Sequence, residues 1–346
     1  MANPDLNSLI RLNIKELVPY SSAREEYSGD DAILMDANEN PFNEPYNRYP
    51  DPLQRKLKEK ISNNLKINPA CLFLGNGSDE AIDLLFRAFC NPGIDNVIIM
   101  DPSYGMYEVC AKINNVEFRK VLLTRDFDLD PQAILDAADE KSKLVFLCSP
   151  NNPTSNLLDV KKILHLVKSF KGLVVVDEAY IDFSGSDGLI TKLNDFSNLV
   201  ILRTFSKAWG LAGVRLGMAI AIPGIIEVLN KIKYPYNINI LTQELVLKYM
   251  DDQDNRINWI SAIINSRKDM EAKLKNLPYV HKVYPSDANF LLVKVQEPGK
   301  LYNYLKEMKL IIRDRSRVSL CEGCLRITVG TKPQNEKLLS FMEGFH

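Results

Sequence analysis

The chain has 346 residues, enough for about two domains, and its composition of 46% hydrophobic and 25% charged residues is that of an ordinary globular protein. The formal net charge is −1, from 43 basic and 44 acidic residues, which argues against a general nucleic-acid binder or a protein of acidic membrane surfaces. The uncharged stretch near residues 216–226 is too short to cross a bilayer.

The six cysteines indicate a reduced protein without metal. Four stand alone in apolar stretches and are expected to be small buried residues. Cys321 and Cys324 form a lone C-x-x-C, for which we expect a turn between two strands, because no second ligand pair accompanies it and the three histidines are unpaired. Residues 1–5 show no basic or apolar leader, so we expect a cytoplasmic protein.

In chain order, residues 1–40 are predicted to form an arm that packs on a small C-terminal domain. Between residues 41 and 250, continuous apolar runs alternate with helix-like stretches, which predicts a mostly parallel α/β sheet covered on both faces. The predicted strands are 72–74, 97–100, 144–147, 173–176, 199–202 and 218–221. Residues 251–346 are predicted to form a smaller α+β domain, with strands near 289–293, 310–312 and 325–329.

Polar or glycine-rich segments follow five of the apolar runs directly. They are Gly75-Asn76-Gly77-Ser78-Asp79, Asp101-Pro102-Ser103-Tyr104, Ser149-Pro150-Asn151-Asn152-Pro153, Asp177-Glu178-Ala179-Tyr180 and Thr204-Phe205-Ser206-Lys207. Open α/β sheets bind ligands at the carboxyl ends of their strands, so these segments are expected to converge on one rim. The first precedes an amphipathic helix and predicts an anion site, although helix capping alone would explain its residues.

Lys207 and Asp177 are unusual for their positions. Lys207 follows an apolar run and is surrounded by hydroxyls, glycines and Arg215, a setting that suits a partly desolvated amine able to attack a carbonyl. Asp177 ends another apolar run, where a carboxylate is costly unless it is paired; a helix N-cap is the alternative explanation.

In order and spacing, these segments resemble the pyridoxal-phosphate-dependent aminotransferases of fold type I over nearly the whole chain. The resemblance implies a large cofactor-binding domain, residues 41–250, built on a mostly parallel seven-stranded sheet. Lys207 would hold the cofactor aldehyde as a Schiff base and shuttle the substrate proton, while Asp177 would pair with the pyridinium nitrogen. Asn152 and Tyr180 would donate hydrogen bonds to the 3′-oxygen of the ring.

The resemblance also implies the remaining cofactor contacts. Tyr104 would stack on the pyridine ring. The phosphate would be bound by a helix N-terminus and by side chains, with the positive charge coming from arginine; these residues are Gly77, Ser78, Asp79, Thr204, Ser206 and Arg215. Ser155 stands where the family's N-P-T-G segment has glycine. Tyr49 would reach the phosphate of a neighbouring subunit, which implies an obligate homodimer.

Four stretches resemble the histidinol-phosphate aminotransferases in particular: residues 18–24, 36–41, 102–107 and 324–330. This subfamily resemblance implies a ping-pong reaction of histidine biosynthesis. Glutamate would leave as 2-oxoglutarate, and imidazole-acetol phosphate would then be aminated to L-histidinol phosphate. One anion site must accept both a phosphate ester and carboxylates.

The resemblance gives four candidates for substrate binding. Arg326 is the expected anion clamp, because its fork suits phosphate and carboxylate alike. Arg313 would be a second phosphate contact, Tyr20 would add a hydroxyl, and Asn152 would face the substrate as well. The basic run that contains Arg313 would equally fit a solvated face.

Two alternatives remain open. An aromatic-amino-acid aminotransferase or a threonine-phosphate decarboxylase of the same fold would share the cofactor residues. A rival of another class is a cofactor-binding regulatory domain without a catalytic role, although the chain carries no added DNA-binding segment and no charge bias.

Overall fold

The computed structural model describes residues 5–20 and 32–345. The last part of the predicted motif at residues 18–24 therefore lies outside the described residues. No described helix has the length and apolar character that a membrane span requires.

A seven-stranded sheet forms the centre of the large domain, as predicted. Its strands are β1 Leu72–Asn76, β2 Asn96–Asp101, β3 Glu117–Leu122, β4 Ser142–Cys148, β5 Leu173–Asp177, β6 Leu199–Thr204 and β7 Leu216–Ile220. The order is β1-β7-β6-β5-β4-β2-β3, and only β7 runs antiparallel to its neighbours. The sequence did not reveal β3, because this edge strand carries Glu117, Arg119 and Lys120 in place of an apolar run.

Helices cover both faces of this sheet. Along β1, Leu72 and Leu74 join one apolar cluster while Phe73 joins the cluster on the opposite face, as strand alternation requires. The helices of the large domain are Arg55–Leu65, Gly77–Phe89, Met106–Ile113, Pro131–Ala137, Val160–Ser169, Pro223–Ile232 and Ile240–Met250. Short 3-10 turns lie at Pro69–Cys71, Ile181–Phe183, Ile190–Asp195 and Ala212–Val214.

The small domain is built on an antiparallel sheet with strands β8 Val280–Val283, β9 Phe290–Val295, β10 Arg313–Asp314 and β11 Cys324–Thr328, in the order β10-β11-β9-β8. Its helices are Gln253–Leu274, Pro298–Glu307 and Lys332–Glu343. Leu291 and Leu325 face the small domain's own core, whereas Leu292 and Cys324 join a cluster of the large domain. One face of the small sheet is therefore turned towards the large domain.

Two details of the small domain differ from or extend the prediction. The strand expected at 310–312 lies at Arg313–Asp314, because the N–H of Leu310 still donates to the carbonyl of Leu305 to close the preceding helix. The C-x-x-C segment is the predicted turn before β11, with the N–H of Cys324 donating to the carbonyl of Cys321 at 2.9 Å. The domain boundary at residue 250 stays a prediction; it falls between the helices Ile240–Met250 and Gln253–Leu274.

The N-terminal arm packs on the large domain where it is described, and the expected packing on the small domain is wrong for its helices Leu6–Leu9 and Leu12–Lys15. Arg11 donates from its backbone to the carbonyl of Ala88 at 3.0 Å and from its side chain to that of Arg87 at 2.7 Å. These carbonyls end the helix Gly77–Phe89 and need donors. Leu9 is buried in the apolar cluster beside them, which explains the choice of surface.

Candidate active site

The carboxyl ends of β1, β4, β5 and β6 open onto one cavity of about 190 Å³. It is lined by Gly77, Ser78, Asp79, Tyr104, Cys148, Asn152, Asp177, Ala179, Tyr180, Thr204, Ser206, Lys207, Ala212 and Arg215. Every cofactor residue named from the sequence, with the exception of Tyr49, is in this set. The fold therefore brings together groups that are far apart in the chain, because parallel strands end at the same edge of a sheet.

Lys207 lies in this cavity three residues beyond the end of β6. Its Nζ is 5.5 Å from the centre of the Tyr180 ring. Burial, together with the positive charges of Arg326 and Arg215, holds the pKa of the amine below its ordinary value, while Asp177 opposes the shift. These surroundings favour a neutral amine at lower pH than for a surface lysine, which is the form that acts as nucleophile and base.

Asp177 is the buried carboxyl at the end of β5. Its Oδ2 accepts a hydrogen bond from the Tyr107 hydroxyl at 2.9 Å, and its Oδ1 accepts the backbone N–H of Ala179 at 3.0 Å. Burial raises the pKa of this carboxyl to about 6, against the opposing effect of both hydrogen bonds. A cationic group placed beside this buried carboxyl would therefore stabilise its ionised form.

The other end of the cavity suits an anion. The helix Gly77–Phe89 begins there, and the side chain of its N-cap residue, Asn76, makes no capping hydrogen bond. Arg215 spans this end: its Nη1 lies 3.4 Å from Ser206 Oγ, and its Nη2 lies 3.6 Å from Asp79 Oδ2. The hydroxyl of Thr204 already has a partner in the protein, since its Oγ1 accepts the backbone N–H of Ser206 at 3.1 Å.

Two glycines allow the helix N-terminus to come this close. Gly77 has φ +70°, and a Cβ added there would lie 2.7 Å from Arg215 Nη2. A Cβ added at Gly217 on β7 would lie 2.1 Å from the backbone nitrogen of Ser78. Since real Cβ contacts are not this short, a larger residue at position 217 would displace the Ser78 backbone that forms the anion end. A larger residue at position 77 would be strained by the positive φ and would push the Arg215 side chain aside.

Asn152 and Tyr180 occupy the wall nearest the small domain. Arg326 on β11 donates from Nη1 to Asn152 Oδ1 at 2.5 Å, and its guanidinium carbon lies 5.3 Å from the centre of the Phe290 ring. The Tyr180 ring meets the same Phe290 ring edge-on, with centroids 5.1 Å apart. Burial lowers the pKa of Arg326, and Arg315 and Arg313 lower it further, so this wall concentrates positive charge.

Four candidates are not among the residues that line the cavity of this chain, and one of them, Arg326, reaches it through its contact with Asn152. Tyr49 is 51% exposed and stacks on Tyr236 with ring centroids 4.5 Å apart. Tyr20 is 71% exposed. Arg313 is exposed but lies directly opposite Arg326 in the pairing of β10 and β11, so its side chain leaves the same face of the sheet.

Sequence reasoning missed several supporting groups. Tyr107, which donates to Asp177, had no local signal beyond being an aromatic residue of an amphipathic helix. Glu178 is buried and accepts both Nε and Nη2 of Arg203, at 3.0 and 2.8 Å, and the N–H of Leu189 at 2.6 Å. This pair anchors the loop that follows β5. The only indication of the pair in the sequence was the acidic residue next to Asp177.

Comparison with known proteins defines the class. The family model described as aminotransferase class I and II matches residues 26–342. The chain belongs to the class I and II aminotransferases, enzymes that depend on pyridoxal phosphate.

Individual relatives within this class carry the name of one particular enzyme. The chain is 54% identical to the histidinol-phosphate aminotransferase of Parabacteroides distasonis over 340 residues, which cover 98% of this chain and 99% of that protein. It resembles the crystal structure of the histidinol-phosphate aminotransferase from Clostridium acetobutylicum with a TM-score of 0.80 and 26% identity, covering 86% and 90% of the two chains. The enzyme from Sinorhizobium meliloti in complex with pyridoxal-5′-phosphate shares the fold, with a TM-score of 0.78 and 23% identity over 86% and 82%.

The residues present fit this cofactor. The uncapped helix N-terminus, the glycines at positions 77 and 217 and the Arg215 guanidinium match the needs of a phosphate. The opposite end offers a desolvated amine at Lys207 and a buried carboxyl at Asp177. An aldehyde, a basic ring nitrogen and a phosphate each find a chemically suitable group in the one cavity.

Proposed function

We propose that this chain is a histidinol-phosphate aminotransferase. It transfers an amino group between L-histidinol phosphate and 2-oxoglutarate, yielding imidazole-acetol phosphate and glutamate, in a reversible ping-pong reaction whose biosynthetic direction forms L-histidinol phosphate. The 54% identity to a relative of that name over almost the whole chain supports the assignment. The observation that carries it is the position of Arg326, whose Nη1 contacts Asn152 in the cavity wall at 2.5 Å.

Bound pyridoxal phosphate supplies an aldehyde that takes up the amino group and a ring that accepts the electron pair released at the substrate carbon. With the cofactor bound, Lys207 would hold its aldehyde, and the Lys207 Nζ would take the proton from the substrate carbon and give it back. The lowered pKa of this amine supports the role, because a base must be neutral to accept a proton.

Asp177 would pair with the protonated ring nitrogen, which would keep the ring an effective electron acceptor. The hydrogen bond from Tyr107 at 2.9 Å orients its carboxylate. Asn152 and Tyr180 bind the ring oxygen: the carbonyl of Asn152 accepts from Arg326, which leaves its amide N–H groups to donate. Tyr104 positions the ring, and its hydroxyl donates to Asp79 Oδ1 at 3.2 Å.

The phosphate of the cofactor would be bound by the backbone N–H groups of Ser78 and Asp79 at the helix N-terminus and by Ser206 and Arg215. The uncapped helix start supports this role. Gly77 provides the close approach, and Thr204 acts on Ser206 through the hydrogen bond to its backbone.

Arg326 binds the anionic group of each substrate in turn. A guanidinium fork accepts a carboxylate or a phosphate with similar geometry, so one residue can serve glutamate and the phosphate ester. Arg313, opposite Arg326 on β10, and Tyr20 complete this end in the substrate complex; their exposure in the free chain supports an approach from the open side.

The enzyme acts as a homodimer in which Tyr49 contacts the cofactor phosphate of the neighbouring subunit. Its exposed ring, held by the stack with Tyr236, supports this proposal. Exposed apolar side chains nearby, such as Phe42 and Tyr46, fit a face that a second copy covers. The cytoplasm is the proposed location; the cysteines are free and buried, as in a reduced protein.

The test uses purified protein loaded with pyridoxal phosphate. Glutamate alone should convert the cofactor to its amino form, seen as loss of its visible absorbance, and imidazole-acetol phosphate should restore the absorbance. Borohydride reduction of the resting enzyme should attach the cofactor to the peptide that contains Lys207, and Lys207→Ala should abolish that attachment. Absence of either spectral change would contradict the proposal.

A further inference from the structure

The face of the small sheet that is turned to the large domain carries three arginines. Arg313 on β10 pairs with Arg326 on β11, and the N–H of Arg315 donates to the carbonyl of Cys324 at 2.9 Å, which continues the same register. Because side chains alternate along a strand, Arg313, Arg315 and Arg326 leave the sheet on one face. Cys324, on that face, belongs to a cluster of the large domain and fixes its direction.

Arg315 has no counter-ion within the part of the chain that the structure describes. Its side chain is half-buried, and its Nε is sealed from solvent without a hydrogen-bond partner there. The nearest carboxylate in sequence, Asp314, accepts the backbone N–H of Ser316 at 2.8 Å instead. A buried N–H without an acceptor is costly, so the unpaired Nε of Arg315 points to an anion that arrives with a ligand.

The charge of Arg315 acts on the groups that border the cavity. Burial and the neighbouring Arg313 lower the pKa of Arg315, whereas Cys321, Tyr180 and Asp314 raise it. Arg315 in turn contributes to the lowered pKa of Arg326, after burial. Since Arg326 contacts Asn152 and Tyr180 lines the cavity, Arg315 belongs to the same end of the site.

The number of cations exceeds what a carboxylate requires. One guanidinium satisfies both oxygens of a carboxylate through two parallel hydrogen bonds, and Arg326 suffices for that. A phosphate ester carries up to two negative charges on three terminal oxygens and can accept from several guanidinium groups at once. The arginines beyond Arg326 at this end therefore suit the phosphate ester, which presents more acceptor oxygens than the one carboxylate of glutamate that Arg326 binds.

We propose that Arg315 is a specificity-determining residue that binds the phosphate group of the amine substrate together with Arg313 and Arg326, and that glutamate does not require it. This inference rests on the proposed function, since it assigns one residue to one of the two substrates of that reaction.

The test compares Arg315→Gln with Arg317→Gln in cofactor-loaded enzyme. Arg317 lies in the same basic run but is exposed, which makes it the matched control. Each variant is mixed separately with L-histidinol phosphate and with L-glutamate, and the apparent Kd of each half-reaction is measured by stopped-flow absorbance. Inorganic phosphate is then added as an inhibitor of the glutamate half-reaction. Arg315→Lys tests whether charge alone restores binding.

For Arg315→Gln we expect an apparent Kd for L-histidinol phosphate at least about tenfold higher, weaker inhibition by phosphate, and a glutamate Kd within about twofold of the parent. Arg317→Gln should change none of these values, and Arg315→Lys should recover only part of the loss. Equal weakening for both substrates, or none for the phosphorylated one, overturns the proposal. If the parent enzyme does not react with L-histidinol phosphate, the proposed function fails, and unchanged phosphate inhibition in Arg315→Gln would separately refute the role of Arg315.

Discussion

Replacing Asp177 by asparagine should remove a pH dependence from the stability of the cofactor-free protein while it impairs the loaded enzyme. Asparagine is close in shape and can still accept the hydrogen bond that Tyr107 donates at 2.9 Å, but its amide nitrogen cannot accept the N–H of Ala179. It removes a carboxyl whose pKa burial raises to about 6. In the unfolded chain this pKa returns to about 3.9, so the folded state binds the proton more tightly. The wild-type protein therefore loses stability as the pH rises from about 4 to about 6, and the variant does not.

The expected magnitude follows from the two pKa values. At 1.36 kcal/mol per pKa unit, the wild-type protein should lose about 2 to 3 kcal/mol of unfolding free energy between pH 4 and pH 7 relative to Asp177→Asn. Urea unfolding of both cofactor-free proteins at equal concentration, repeated from pH 4 to pH 8, measures this difference, since titration of the other groups cancels. A difference that is flat with pH, or that grows in the opposite direction, would refute the account of Asp177 as a carboxyl desolvated by the fold.

Three further substitutions test the supporting structure. Tyr107→Phe removes a hydrogen bond to a buried carboxylate and should cost about 1.5 to 3 kcal/mol at pH 8, where that group is ionised; an unchanged urea midpoint would contradict this. Gly217→Ala puts a Cβ 2.1 Å from the Ser78 nitrogen and should cost about 1 to 3 kcal/mol and weaken cofactor binding, whereas at Gly213, the control, an added Cβ meets nothing within 4 Å. Arg203→Met leaves the Glu178 carboxylate buried without its partner and should cost about 3 to 5 kcal/mol, most of which a second change, Glu178→Met, should restore; a loss below about 1 kcal/mol would contradict it.

The strands of the large sheet could be predicted because burial on both faces produces a recognisable pattern in the sequence. Strands buried on both faces need continuous apolar runs, and all six runs found in the sequence are strands. Lys207 and Asp177 could be singled out because an ionisable side chain at the end of such a run is costly to bury unless it has a bonding partner or a functional role. The edge strand β3 has no such apolar pattern, since its charged side chains can be exposed to solvent.

Pairings between distant segments could not be predicted in the same way. The Tyr107 hydroxyl meets Asp177 across 70 positions of chain, and the helix pattern around Tyr107 would be the same without that bond. The packing of the N-terminal arm could not be predicted for a similar reason. The apolar spacing of Leu6 and Leu9 indicates a buried face but does not specify which domain covers it. The roles of Tyr49 and Tyr20 depend on a second subunit or a bound substrate and stay predictions.

The substrate is the central claim, and steady-state turnover tests it most directly. With 2-oxoglutarate as acceptor, L-histidinol phosphate, L-phenylalanine and L-threonine phosphate are offered separately to the loaded enzyme, and loss of carbon dioxide is followed for the last. We predict a kcat/KM for L-histidinol phosphate at least roughly 100-fold above that for L-phenylalanine, and no decarboxylation of L-threonine phosphate. Undetectable transamination of L-histidinol phosphate, or preferred turnover of either rival substrate, would contradict the assignment.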